Sequence, residues 1–129
     1  MTRKRVSANR PWEQIVGYSR AIRVGDHIEV SGTAAAGPEG DVLCPGDLYG
    51  QTREALRIIG DALTELGAGF EDVVRTRVFL SDVSRWEEAG RAHGEVFSEI
   101  RPATAFIGSS GFLDPAMLVE IEATALART

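Results

Sequence analysis

The chain has one cysteine, Cys44, in 129 residues. An internal disulfide is therefore excluded, and so is a set of thiolates at metal-binding spacing. Such usage fits a reducing compartment, and the expected location is cytoplasmic. Cys44 lies between Leu43 and Pro45-Gly46 and reads as a loop-edge residue with a structural role rather than as a nucleophile. Histidine is almost as scarce. His27 and His93 stand far apart with no Asp/Glu motif beside them, so no metal is assigned and no cofactor is expected. No apolar run approaches the roughly 20 residues that a membrane-spanning helix needs. A formal charge of −5 argues against general nucleic-acid affinity, which requires a concentrated basic surface. Gly-x-Ser-x-Gly, a phosphate-cradling glycine loop and Gly-x-Gly-x-x-Gly are all missing, so the common serine-hydrolase and nucleotide readings fall away.

The remaining composition, 43% hydrophobic and 26% charged, is that of an ordinary globular chain with room for one core. The basic start, through Arg3-Lys4-Arg5, has no apolar stretch after it of signal-peptide type and reads as a frayed end. Residues 1–16 are thus expected to be an extension and 17–129 a single domain. Ile22, Val24, Ile28 and Val30 alternate with polar residues around Gly25-Asp26, which predicts a two-residue β-hairpin. The turn-rich segment 32–41 reads as loop, with a brief strand near Val42. Asp47 is placed to cap a helix reaching about Leu66, with Leu48, Thr52, Ala55, Leu56, Ile59 and Leu63 at helical spacing and Gly67 and Gly69 ending it.

Val73 to Leu80 predicts a strand with Val74, Val78 and Leu80 on one face and Arg75 and Arg77 on the other. Ser84 is expected to cap a second helix whose inner stripe carries Trp86, Gly90, His93, Phe97 and Ile100, and Pro102 marks its end. Strands near Ala103–Ile107 and Met117–Leu126 complete the order ββ(β)αβαββ, an α+β chain. Two helices cover one face of such a sheet, which leaves the other for water or a partner chain.

Few side chains suggest chemistry. Glu120 and Glu122 share a strand face, about 6.5 to 7 Å apart between Cα atoms. One carboxylate in a closed pocket can position water or move a proton. The competing reading is an ion-pair ladder with Arg75 and Arg77. His93, on the helix stripe, reads as a hydrogen-bonded packing residue. Tyr18 and Ser31-Gly32, at the hairpin ends, are routine loop residues on their own.

Taken in order, Gly17-Tyr18, Val30-Ser31-Gly32, Gln51–Leu56, Asp72–Arg75, Val78–Leu80, Asp82, Phe97, Pro102-Ala103 and Val119–Ala123 resemble the Rid family, also called YjgF and named for reactive intermediate deamination. The resemblance covers nearly all of the chain from Gly17. It implies a chorismate-mutase-like α+β fold, two helices on one sheet face, and a homotrimer around a central barrel with a ligand pocket at each subunit interface. Deaminating members hydrolyse an enamine or imine without metal or organic cofactor. By position, Tyr18, Ser31, Gly32, Thr104 and Phe106 are similar to substrate-binding residues, and Glu120 to the carboxylate that orients the attacking water. Gly90 and Arg101 are possible pocket residues.

One departure matters. Thr104 stands where deaminating members carry an arginine that grips the substrate carboxylate, and a hydroxyl cannot imitate that fork. Phe106 stands at a family cysteine and Gly90 at a family asparagine. The resemblance therefore implies a Rid-like deaminase whose substrate preference is altered at Thr104, or whose anchor is another arginine such as Arg20 or Arg101. Two alternatives stay open: a non-catalytic trimeric module that binds a metabolite or a protein, and a biosynthetic rearrangement or cyclisation enzyme on the same fold.

Overall fold

The computed structural model describes residues 2–128. Alternating apolar segments build a six-stranded sheet in the order β1-β2-β3-β6-β4-β5. The strands are β1 (Arg3–Val6), β2 (Ala21–Val24), β3 (His27–Thr33), β4 (Val73–Leu80), β5 (Ala103–Gly108) and β6 (Val119–Leu126). Three helices accompany them: a short α1 (Trp12–Val16), α2 (Leu48–Glu65) and α3 (Trp86–Phe97). Five strands pair antiparallel, while β4 and β5 run parallel because α3 carries the chain back between them. The result is an α+β fold with a mixed sheet.

The hairpin forms around Gly25-Asp26 with Val24 opposite His27. Asp47 caps α2 by accepting the Gly50 N–H at 2.9 Å, an interaction contributing about 1 kcal/mol. The stripe from Leu48 to Leu66 is buried throughout, against β3, β6 and α3. Gly67 then takes a left-handed turn, φ +78°, and the Ala68 N–H closes back on the Leu63 carbonyl at 2.9 Å. On β6 the residues Val119, Ile121, Ala123 and Ala125 face the helices, and Glu120, Glu122 and Thr124 face the other way.

Five expectations require correction. Residues 3–6 do not fray; they form edge strand β1, paired with β2 from Arg3 opposite Val24 to Val6 opposite Ala21. A register shift between Val73 and Arg75 turns Val73 inward and leaves Val74 exposed, so the strand face begins one residue earlier than strict alternation gives. Asp82, not Ser84, supplies the cap, accepting the Ser84 N–H at 3.1 Å and starting a single 3-10 turn before α3. Trp86 is half-exposed rather than inward, and Ala89 and Ala92 join His93 and Phe97 on the buried side. The segment near Val42 forms only an isolated bridge to Ala36.

Leu56 is 2% exposed at the centre of α2. Leu56→Ala is expected to cost about 2–5 kcal/mol in urea unfolding, whereas Val74→Thr on the exposed position should stay within about 0.5 kcal/mol.

Candidate functional site

The sequence-marked residues fall into two clusters at different parts of the sheet. The first surrounds a cavity of about 320 Å³ lined by Tyr18, Arg20, Ser31, Gly32 and Glu120. Its apolar walls include Trp12, Ile58, Leu113 and Met117. The β3 ladder shifts register between Val30 and Thr33, so Ser31 and Gly32 bulge where the chain leaves the sheet. The Ser31 hydroxyl donates to the Ser19 carbonyl at 2.6 Å, tying the bulge to the segment that carries Tyr18. Gly32 lies flat against the Glu120 carboxylate, and a Cβ there would overlap Oε1.

Gln51 fixes the backbone just before Glu120. This buried side chain accepts the Leu118 N–H at 2.9 Å and donates to the Ala116 carbonyl at 3.0 Å, which fixes the start of β6 on α2. Burial pushes the Glu120 carboxyl above the usual glutamate range; Arg20 opposes that rise and Glu122 adds to it. Glu122 itself pairs with Arg77 at 3.3 Å on the open face, as the ladder reading has it, and both are more than 40% exposed, so the pair contributes little. Glu120 makes no such pair among the described residues.

Arg20 is 7% exposed, and its Nη1 donates to the Gly32 carbonyl and to Thr33 Oγ1, each at 2.9 Å. Its guanidinium carbon lies 5.9 Å from the Tyr18 ring centre. Desolvation weakens its protonation, with Tyr18 favouring the cation, Arg10 opposing it and Glu120 favouring it. Of the two arginines named from the sequence as replacement anchors, Arg20 lines the Glu120 cavity and Arg101 does not.

The second cluster lies on the helix side of edge strand β5. Thr104 pairs with Thr76 across the parallel ladder, and their hydroxyls meet at 2.8 Å. Thr76 Oγ1 also meets His93 Nε2 at 2.9 Å, and Thr104 Oγ1 donates to the Pro102 carbonyl at 3.1 Å. His93 stacks at a tilt on Phe97, 4.6 Å between ring centres, and lies 6.0 Å from Phe106. Burial lowers its pKa, which keeps the ring neutral. It is a hydrogen-bonded packing histidine. Gly90 faces Trp86 and Phe106, while Arg101 has a left-handed backbone, φ +57°, at the end of the α3 connection. None of Thr104, Phe106, Gly90 or Arg101 lines the Glu120 cavity within one chain.

The fold and cavity define a class: an α+β protein with a mixed sheet, one open sheet face and a desolvated carboxylate in a small pocket. The family model described as Endoribonuclease L-PSP matches residues 8–127. The SCO2049 protein of Streptomyces coelicolor is 41% identical over 123 residues, 95% of this chain and 90% of that one. The mouse 2-iminobutanoate/2-iminopropanoate deaminase is 31% identical over 124 residues, 96% of this chain and 91% of that one. Among solved structures, Rv2704 of Mycobacterium tuberculosis, a member of the YjgF/YER057c/UK114 family, is similar with a TM-score of 0.89 and 43% identity, covering 98% of this chain and all of that one. The Escherichia coli YjgF structure gives a TM-score of 0.82 at 25% identity, covering 97% and 99%. The chain belongs to the YjgF, or Rid, family.

The Glu120 environment is open to direct measurement. A side-chain carbon NMR titration should place its midpoint above that of an ordinary glutamate, about 4.3. Gly32→Ala, by pushing the carboxylate out of its seat, should return the midpoint toward that value. The sign for stability follows from a native pKa raised above the unfolded one. The folded chain holds this proton more tightly, so ionisation costs stability as pH rises. The stability of Glu120→Gln relative to wild type should therefore increase from pH 4 to pH 7.

Proposed function

We propose that this chain is an imine or enamine deaminase-type hydrolase acting on a small reactive substrate, assembled as a cytoplasmic homotrimer with shared pockets. The observation that carries the reading is Glu120: a carboxylate with a raised pKa, lining a small cavity beside Tyr18 and Gly32. A general base works best when its pKa is drawn toward the operating pH, and burial does this here. The mammalian relatives named 2-iminobutanoate/2-iminopropanoate deaminase support the reaction class.

In the proposed reaction ionised Glu120 accepts a proton from water as the oxygen attacks the imine carbon, and the imine nitrogen takes a proton from solvent. The resulting carbinolamine then collapses. Glu120 returns its proton to nitrogen, the C–N bond breaks, and the hydroxyl releases its proton to solvent to give a carbonyl. The sum is imine plus water to carbonyl plus ammonia. An enamine enters the same sequence after protonation at carbon. Tyr18 forms a polar wall, and the Ser31-Gly32 backbone supplies hydrogen-bonding groups at the rim.

Trimer assembly supplies a reason for the two separated clusters. Glu120 lies near the β3–β6 pair, whereas Thr104 and Phe106 belong to edge strand β5. Apposing the β5 edge of one subunit to the Glu120 cavity of the next would close the pocket. The sheet face opposite the helices carries Arg75, Arg77 and Glu122 around a groove of about 480 Å³, consistent with a wet central barrel.

Freshly generated 2-imino acids and neutral imines, followed by ammonia release, test the chemistry. Turnover is expected for at least one of them, with Glu120→Gln slower by about 10²- to 10⁴-fold. An equal rate in Glu120→Gln, or no turnover across the panel, would overturn the assignment. Light scattering at micromolar concentration should give three times the 13.9 kDa chain mass. A monodisperse monomer refutes the shared pocket.

A further inference from the structure

We infer that His93, acting through Thr76, sets Thr104 as a hydrogen-bond acceptor at the rim of the shared pocket, so that the ligand group facing Thr104 is a neutral N–H donor such as a carboxamide rather than a carboxylate. The inference rests on the shared-pocket reading for what Thr104 faces; the polarity of the hydroxyl is a property of one chain. It follows from counting protons. The Pro102 carbonyl can only accept, so its 3.1 Å bond to Thr104 uses the single hydrogen of the Thr104 hydroxyl. Thr76 must then be the donor in the 2.8 Å contact between the two hydroxyls. With its own hydrogen engaged, Thr76 Oγ1 can only accept from His93 Nε2, at 2.9 Å, which fixes the imidazole as the Nε2–H tautomer.

The three bonds therefore run one way, from imidazole to buried hydroxyl to exposed hydroxyl to carbonyl. The inner end is held firmly: Thr76 is fully buried, His93 is 8% exposed, and its ring lies tilted on Phe97. Thr104, in contrast, is exposed on edge strand β5 and keeps one lone pair free. An N–H docking there bonds to that lone pair. A carboxylate meets oxygen with oxygen, and gains a bond only by drawing the hydrogen away from the Pro102 carbonyl.

Charge points the same way. Burial keeps His93 neutral, and no cationic group hydrogen-bonds to Thr76 or Thr104 among the described residues. Arg75 and Arg77 alternate with Thr76 along β4 and turn to the open face. Phe106, two residues along β5 on the same side as Thr104, adds apolar surface. The ligand class that fits is an imine with a neutral amide beside its reacting carbon, the carbon toward Glu120 and the amide N–H on Thr104.

Two measurements on the folded protein test this. Nitrogen NMR of the isotope-labelled His93 ring near neutral pH should find the hydrogen on Nε2; a hydrogen on Nδ1 would overturn the inference. Calorimetry then compares 2-oxobutanamide, methyl 2-oxobutanoate and sodium 2-oxobutanoate, stable carbonyl analogues that place a donor, a neutral acceptor or an anion at the same position. Wild type should bind the amide about 3- to 10-fold tighter than either of the others. Thr104→Val should abolish that preference. His93→Phe, which keeps the ring stack and loses the donor, should reduce it, and His93→Gln, which loses the stack and keeps a donor at similar reach, should retain it. A packing role alone gives the opposite order. No amide binding by wild type, tighter binding of the carboxylate, a preference that survives Thr104→Val, or one unchanged in His93→Phe would each refute the inference. Thr104-dependent amide binding without hydrolysis of any imine would leave it standing and remove the deaminase reading. Glu120-dependent hydrolysis that favours 2-imino carboxylates over 2-imino amides would do the reverse.

Discussion

Strand β6 is the constraint on which the rest of the molecule depends. It lies between β3 and β4 in the sheet, so its alternation is enforced from both sides. Val119, Ile121, Ala123 and Ala125 are buried toward the helices, and that burial forces Glu120, Glu122 and Thr124 onto the opposite face. A shift of one residue would send four apolar side chains into water and two carboxylates into the core. The apolar set thus determines where the carboxylates stand.

Position alone does not separate the two glutamates; their surroundings do. Glu122 faces Arg77 on an open, solvated surface and is an ordinary ion-pair partner. Glu120, two residues earlier, meets the bulge at Ser31-Gly32, where a missing side chain leaves room for the carboxylate to be enclosed. Desolvation raises its pKa and the Arg20 charge limits that rise. Opposite charges placed around a cavity suit a polar ligand better than they suit stability, because an unpaired buried charge is expensive.

Much of the frame was legible in the sequence because it rests on local rules. The Gly25-Asp26 hairpin, the Asp47-capped helix and the alternation of β6 each follow from periodicity and capping chemistry within about 20 residues. The misreadings arose where a distant contact outvoted the local signal. Arg3-Lys4-Arg5 looked like a frayed end because edge pairing with β2 has no signature in a charged tripeptide. Val74 looked buried because a bulge, which strict alternation does not anticipate, rotates it outward. Trp86 looked like an inward aromatic, but it stands at the very start of α3, directly after the 3-10 turn that Asp82 begins, and is left half-exposed while His93 and Phe97 keep to the buried side.

By itself the sequence determined the family, the α+β class and the carboxylate to watch, since these depend on the order and period of residues along the chain. The tertiary structure decided which side chains share a space. It separated Thr104, Phe106 and Gly90 from Glu120 within one chain, committed the Thr104 hydroxyl to Thr76, and brought Arg20 to the Glu120 cavity with its Nε unbonded. The physical reason is that hydrogen-bond satisfaction and desolvation are properties of neighbours in space. An arginine's free donors can be counted only after folding has shown which carbonyls and hydroxyls surround it.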